Sequence, residues 1–226
     1  MAKEKKDKKK AHRRYELASG EKVKGATTPI DGQLGWNKRI LMYWANREGL
    51  EGRDIKEVQR SAMDKGTLAH YLCEMHIKGT EPDKNYIDSY SKEDYDKAEN
   101  AFLAFLNWEE KNKPEYLGSE VKVVSEKYKY GGTVDILAKH GDDIWLIDLK
   151  TGRAKQGGGF YPEHFIQLAA YKCAYEEQTG NKVTECHILR IDKDTGKFEC
   201  GVFTDLEVAF KVFLCCLELQ ELQKQL

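Results

Sequence analysis

The sequence contains no CxxC pair and no cysteine spacing that combines with histidine into a ligand set, although cysteines stand at 73, 173, 186, 200, 215 and 216. Zinc-ribbon and iron-sulfur sites therefore find no support in the spacing. There is also no run of 18 apolar residues and no apolar stretch near the start. That pattern argues against a membrane-spanning helix or a signal peptide, and a cytoplasmic location is expected. In that compartment the cysteines are expected to be reduced, small core residues rather than disulfides. No internal repeat is evident. No GxxxxGK[ST] phosphate loop occurs, so no nucleotide is expected as a cofactor.

What is present is a chain of 226 residues, 40% hydrophobic and 33% charged, long enough for one substantial core and too apolar for general disorder. The first fourteen residues, MAKEKKDKKKAHRR, are the exception. Lys3, Lys5, Lys6, Lys8, Lys9, Lys10, Arg13 and Arg14 are set against Glu4 and Asp7, eight positive charges to two negative, a net of +6. The whole chain carries −1, which leaves −7 on the remainder. A basic arm, 1–14, thus precedes a mildly acidic single domain, 15–226. Such an arm is either drawn to polyanions or a solvated tail.

Along the domain the hydrophobic period changes once. ATTPIDGQLGW reads as a Pro/Gly turn leading into a helix from about 34 to 49. SAMDKGTLAHYLCEMHIKG reads as a second helix, with Leu68, Tyr71, Leu72 and Met75 on one stripe. A third is opened by Ser91 as a cap, with Asp94 three residues on, and closed by Pro114. Three strands follow, GSEVKVVSEKYKY, GGTVDILAK and DDIWLIDLKTG. Then come a helix with Pro162 in its first turn and Gly180 past its end, two strands joined by DKDTG, and a last helix capped by Thr204 or Asp205. The order predicts an α/β domain.

Two carboxylates inside this β pattern, Asp135 and Asp148, need a reason. A hairpin turning at HGDD pairs residues whose numbers sum to 283, which sets Asp135 opposite Asp148, Val134 opposite Leu149, Ile136 opposite Ile147 and Ala138 opposite Trp145. The last three pairs form an apolar face, expected to be the core face. Lys150 projects with Asp148, across from Thr133. Opposed acids repel, the more so when buried, and a divalent cation offsets the repulsion best. Mg²⁺ or Mn²⁺ prefers such oxygen ligands and can activate water beside a phosphate, with Lys150 either steadying and helping to deprotonate that water or stabilising the oxyanions. A structural Asp-Lys ion pair is the plain alternative.

The spacing of Asp135 from Asp148-Leu149-Lys150 resembles the PD-(D/E)XK nuclease superfamily. GTLAHYLCE upstream and QLAAY downstream look like its RecB-like, phage-type exonuclease branch. The likeness runs over roughly residues 27 to 175. It implies a restriction-endonuclease-like core, a central mixed β-sheet flanked by helices, and hydrolysis of DNA phosphodiesters with one or two Mg²⁺ or Mn²⁺ ions. It assigns catalysis to Asp135, Asp148 and Lys150, and metal binding to His70, Asp135, Asp148 and the backbone carbonyl of Leu149. Substrate contact falls to Gln167 and Tyr171, and Glu120 matches a further acid of phage-type members. Helix geometry agrees, since Gln167 and Tyr171 share a face, as do His70 and Glu74, which makes Glu74 a second-tier candidate. Some members carry an iron-sulfur cluster that these cysteine spacings cannot reproduce. Others are fused to a helicase.

The loop GRAKQGGGFYPEHF adds Arg153 and Lys155 as candidate phosphate contacts, and Trp36, Phe160 and Tyr161 as candidates for stacking on unpaired bases. The expected partners are DNA, single-stranded or duplex with ends, a recombination or annealing protein, and a second copy of the chain; a membrane is not expected. Competing readings are a nuclease-like fold used only for binding or scaffolding, and an endonuclease of the same superfamily.

Overall fold

The computed structural model describes residues 15–35, 38–152, 158–192, 195 and 197–226, without the side chains of 38–40 and 60–65. The basic arm, Trp36, Arg153 and Lys155 lie outside the described residues.

The chain opens with two short strands, β1 (Tyr15–Glu16) and β2 (Lys22–Gly25), and a helix, α1 (Thr27–Gln33). This corrects the expected turn. Pro29 lies in the first turn of α1, where backbone N–H groups have no intrahelical partner and its missing donor costs nothing. The next helix, α2, spans Lys38–Leu50, beginning later than the sequence suggests. Helix α3 (Ile55–Ile77) begins six residues before the expected segment, because Asp54 caps it by accepting from the Lys56 N–H at 2.7 Å. After the single turn α4 (Lys84–Ile87), α5 (Lys92–Asn112) starts as expected, with Ser91 Oγ accepting from the Asp94 N–H. It ends at Lys113, which takes a left-handed conformation just before Pro114.

Strands β3 (Glu115–Ser125), β4 (Tyr130–His140) and β5 (Asp143–Thr151) follow, then α6 (Pro162–Thr179), β6 (Glu185–Ile191), β7 (Phe198–Phe203) and α7 (Glu207–Gln223). Asp205 Oδ1 accepts from the Glu207 N–H at 2.9 Å at the start of α7, though the cap position itself is Leu206.

The strands join in one mixed sheet, in the order β1-β2-β4-β5-β6-β7, with β3 also on β4. The β5–β6 and β2–β4 pairs are parallel and the others antiparallel. The fold is therefore the restriction-endonuclease-like α/β core. The expectation of a single core face is corrected, because both faces of the sheet are packed. Leu68, Leu72, Phe105 and Trp108 of α3 and α5 cover Ile136, Ile147 and Leu149. Leu168, Tyr175 and Phe213 of α6 and α7 cover Leu137, Leu146 and Ile188. Cys73, Cys186 and Cys216 are buried, as small core residues should be, but Cys200 and Cys215 are exposed. Among the described residues no helix is long and apolar enough to cross a membrane.

Candidate active site

Strand β4 divides one of its edges between two partners. Its other edge is given to β3; on this edge Ile136 to His140 pair with β5, while Tyr130 and Gly131 pair with Lys24 and Gly25 of β2. The β4–β5 register follows the expected sum from Ile136↔Ile147 to His140↔Asp143 and stops there. Asp135 and Asp148, Val134 and Leu149, and Thr133 and Lys150 are therefore not ladder partners, which corrects the extended hairpin. The physical cause is visible at the break, where Asp135 Oδ2 accepts from the Leu149 N–H at 2.8 Å. A side chain takes the donor that the ladder would have used. Beyond this point β5 continues alongside β6 alone, with Asp148↔Ile188 and Lys150↔Arg190, and the two strands diverge as a fork.

Two glycines at the base of the fork admit aromatic rings. A Cβ on Gly132 would lie 2.3 Å from the Tyr171 ring, and one on Gly131 2.3 Å from the Tyr15 ring. Tyr15 is further held by a 3.0 Å hydrogen bond between its hydroxyl and Thr133 Oγ1. On α3, Gly66 allows close approach to β5, since a Cβ there would lie 2.8 Å from Thr151 Oγ1. One helical turn on, His70 shares that face and hydrogen-bonds with the Leu149 backbone.

Asp148 is 1% exposed. Burial, reinforced by Asp135 and opposed by Lys150 and His70, pushes its carboxyl up to about 6. Lys150 Nζ lies 2.9 Å from its Oδ2, yet that wholly buried oxygen receives no well-directed hydrogen bond. Nζ also donates to Gln167 Oε1 at 2.9 Å, and Gln167 Nε2 donates to the Tyr171 hydroxyl at 2.9 Å. Burial disfavours the Lys150 ammonium, but Asp148 and Asp135 outweigh it and its pKa is raised. Lys150 is therefore charged at neutral pH. Burial and then Lys150 lower the pKa of His70 against the pull of Asp148 and Glu120, leaving a neutral imidazole. Tyr171 is held well above the ordinary phenol range by burial and the two aspartates, and stays protonated.

The structure thus brings together His70, Asp135, Asp148, Lys150, Gln167 and Tyr171. Glu120 joins them electrostatically. It sits at φ +53° in a left-handed kink of β3, where the ladder passes from Ser119↔Ile136 to Val121↔Val134 without pairing it. Glu74 pairs with Lys78 Nζ at 2.6 Å. Phe160 is engaged with Phe165 and Phe203 rather than presented for stacking.

Sequence reasoning missed Asp31 and His164. A groove of about 540 Å³ opens beside Lys150 and Gln167, walled in part by Asp31, Leu41, Tyr161 and His164. Burial, with Lys150 and Arg190, pushes His164 down to about 3, so its ring is neutral; its Nδ1 is buried and makes no hydrogen bond. The i, i+3 spacing of His164 and Gln167 was the available signal. Asp31 left none, because its segment read as a turn. Arg190, buried against Glu199 and donating to the Gly159 carbonyl at 2.7 Å, anchors the chain just before α6 and so the helix that carries Gln167.

Among the described residues no three His, Cys, Asp or Glu side chains converge closely enough to hold a metal ion as they stand. The donor chemistry nevertheless fits a hard divalent cation. Two carboxylates, one with a buried oxygen lacking a directed hydrogen bond, and a neutral imidazole surround the single peptide of Leu149.

The chain matches the PD-(D/E)XK nuclease superfamily over residues 42–224 and belongs to it. That match begins later and runs further than the resemblance read from the motifs. Among solved structures the chain is similar to a candidate exonuclease from Eubacterium rectale, at 14% identity over 70% of this chain and 65% of that one, with a TM-score of 0.49. It thus spans just under two thirds of that protein. It is also similar to the alkaline exonuclease of Laribacter hongkongensis, at 18% identity over 69% of this chain and 82% of that one, with a TM-score of 0.35. No curated protein matches.

Proposed function

We propose that the chain is a Mg²⁺- or Mn²⁺-dependent deoxyribonuclease that hydrolyses phosphodiester bonds from DNA ends, of the kind used in phage or bacterial recombination and repair. The observation that carries this reading is the fork itself, where β4–β5 pairing stops at Ile136↔Ile147 and Asp135, Asp148 and Lys150 lie just beyond the break. The His70 and Gln167-Tyr171 elements favour the end-directed branch over an endonuclease.

Asp135, Asp148, His70 and the Leu149 carbonyl are the groups that would hold the ion. When bound, the ion supplies a lowered pKa for its water and neutralises charge on the scissile phosphate. Asp148 must be ionised to serve. Lys150, protonated and fixed by Asp148 and Gln167, presents a positive charge to the phosphate oxygens as negative charge builds on them. The raised pKa of Lys150 favours this role over that of a base. Gln167 aims the ammonium, and Tyr171, seated over Gly132, holds Gln167 in turn. In net terms water adds to phosphorus, one P–O bond breaks and the leaving oxygen takes a proton.

The test is to incubate the purified protein with end-labelled linear single-stranded, linear duplex and circular DNA, in Mn²⁺ and in EDTA. Mononucleotide release from linear DNA, resistance of circles and silence in EDTA are expected. Cleavage of circles at the rate of linear DNA would sink the end-directed reading, and cleavage in EDTA would sink the metal.

A further inference from the structure

We propose that the groove beside Lys150 is a nucleobase subsite, which takes the unpaired base of the nucleotide next to the scissile phosphate and reads it through Asp31. The place of that base relative to the scissile bond rests on the nuclease reading above; the binding of an unpaired base does not.

The first observation is how little positive charge the groove offers. Lys150 is the one Lys or Arg among the described residues that line it, and it is committed to Asp148 and Gln167. His164 is neutral, because burial, Lys150 and Arg190 disfavour its charged ring. The first turn of α6, whose free N–H groups would otherwise draw an anion, already holds Glu163. Asp31 adds a second carboxylate to the lining. Walls of this kind disfavour the DNA backbone, which carries a charge on every phosphate. The uncharged part of a nucleotide is its base.

The second observation is shape and surface. The groove holds about 540 Å³, within the ~300–1,000 Å³ common for small-molecule sites. Leu34 and Leu41 give it aliphatic walls and Tyr161 an aromatic one. Leu41 is 54% exposed, so an occupant that covers it removes apolar surface from water. Stacking on an aromatic side chain strengthens binding by roughly 5- to 150-fold per base, whichever base it is. Lys150 and Gln167 line the same groove, so a base seated there belongs to a nucleotide beside the reacting phosphate.

The third observation is Asp31. It stands exposed on α1, near enough to Lys150 and Glu163 for both charges to act on it. An ionised carboxylate accepts hydrogen bonds and donates none. Cytosine, adenine and guanine each offer an amino group, whereas thymine offers a carbonyl in its place. Asp31 therefore favours amino-bearing bases over thymine. A base seated among Leu34, Leu41 and Tyr161 has left its stack and its partner, so the groove selects single strands and frayed ends over intact pairs.

The test compares the full-length wild type with Asp31→Asn and Tyr161→Ala. The ligands are single strands of about twenty nucleotides: oligocytidylate, oligothymidylate and a strand built of stable abasic residues. Affinity is measured in EDTA, cleavage in Mn²⁺, and the urea midpoint of each variant is checked against the wild type. The wild type is expected to bind the cytosine strand about 5- to 10-fold more tightly than the thymine strand. Asp31→Asn, whose amide both donates and accepts, should bring that ratio to within about twofold. Tyr161→Ala should weaken both base-bearing strands by about 5-fold or more and leave the abasic strand unchanged. Equal wild-type affinities for cytosine and thymine, or a preference that survives in Asp31→Asn, would overturn the role of Asp31. An equal loss on the abasic strand in a Tyr161→Ala variant of unchanged midpoint would place the backbone in the groove and overturn the subsite. A protein that prefers cytosine in EDTA yet cuts nothing in Mn²⁺ would contradict only the nuclease, and one that cuts without any base preference would contradict only the subsite.

Discussion

The two ends of the β4–β5 hairpin are made from the same two strands and behave oppositely. From Ile136 to His140 every residue has its partner, and Leu137, Leu146 and Ile147 are buried under helices on both faces. From Gly131 to Asp135 β5 no longer pairs with β4, β2 takes over at the base, and apart from the buried Val134 the residues are two glycines, a threonine and an aspartate. The closed end follows the rules of a stable ladder. The open end breaks them, and every break is answered by a particular group: Asp135 on the Leu149 N–H, Tyr15 on Gly131, Tyr171 on Gly132. On the proposed function, stability and chemistry are divided between halves of one hairpin, and substitutions should separate them.

At the open end, Lys150→Met removes the fixed charge and should lower the single-turnover cleavage rate by about 10²–10⁴-fold, with the thermal midpoint close to that of the wild type. A comparable loss of stability would show that the two ends are not independent. At the closed end, Leu146→Ala removes a fully buried side chain and should cost ~2–5 kcal/mol of unfolding free energy in urea. Its turnover per folded molecule should be retained.

Between these extremes, Gly132→Ala places a methyl against the Tyr171 ring and should cost about 1–3 kcal/mol. Because Tyr171 holds Gln167, and Gln167 aims Lys150, it should also slow cleavage; loss of stability alone would uncouple the chain of contacts. The pH effect is the smallest. Asp148 is raised by burial to about 6, so it binds a proton below that value and loses the charge a cation needs. Mn²⁺ affinity, measured by calorimetry, should be level above pH ~7 and fall about tenfold per unit below ~6. Affinity that rose as the pH fell would contradict the assignment.

Much of the closed end was legible in the sequence. Alternation and glycine breaks located β3 to β7, the Ser91 cap located α5, and the sum rule gave the register from Ile136 to His140. The residues proposed for the site could be picked out as candidates as well, because Asp135, Asp148 and Lys150 offend a β pattern and the His70 and Gln167-Tyr171 spacings stand on helix faces. The fork was not legible. Register arithmetic extends a hairpin indefinitely and has no way to know that a side-chain oxygen will take a ladder donor. The reading of α1 as a turn failed because Pro29 signals a break unless it falls in a first turn, and with α1 went Asp31. Two-sided burial was hidden too, since Leu137 and Leu146 share a face with a carboxylate and so read as the polar side.

The central claim is that the open end of the hairpin is a nuclease site, and Asp148→Ala tests it most directly. Release of end label from linear DNA in Mn²⁺ should fall at least 10³-fold, with the circular dichroism spectrum and the urea midpoint retained, because the ladder from Ile136 to His140 is untouched. Wild-type label release by the folded variant would contradict it.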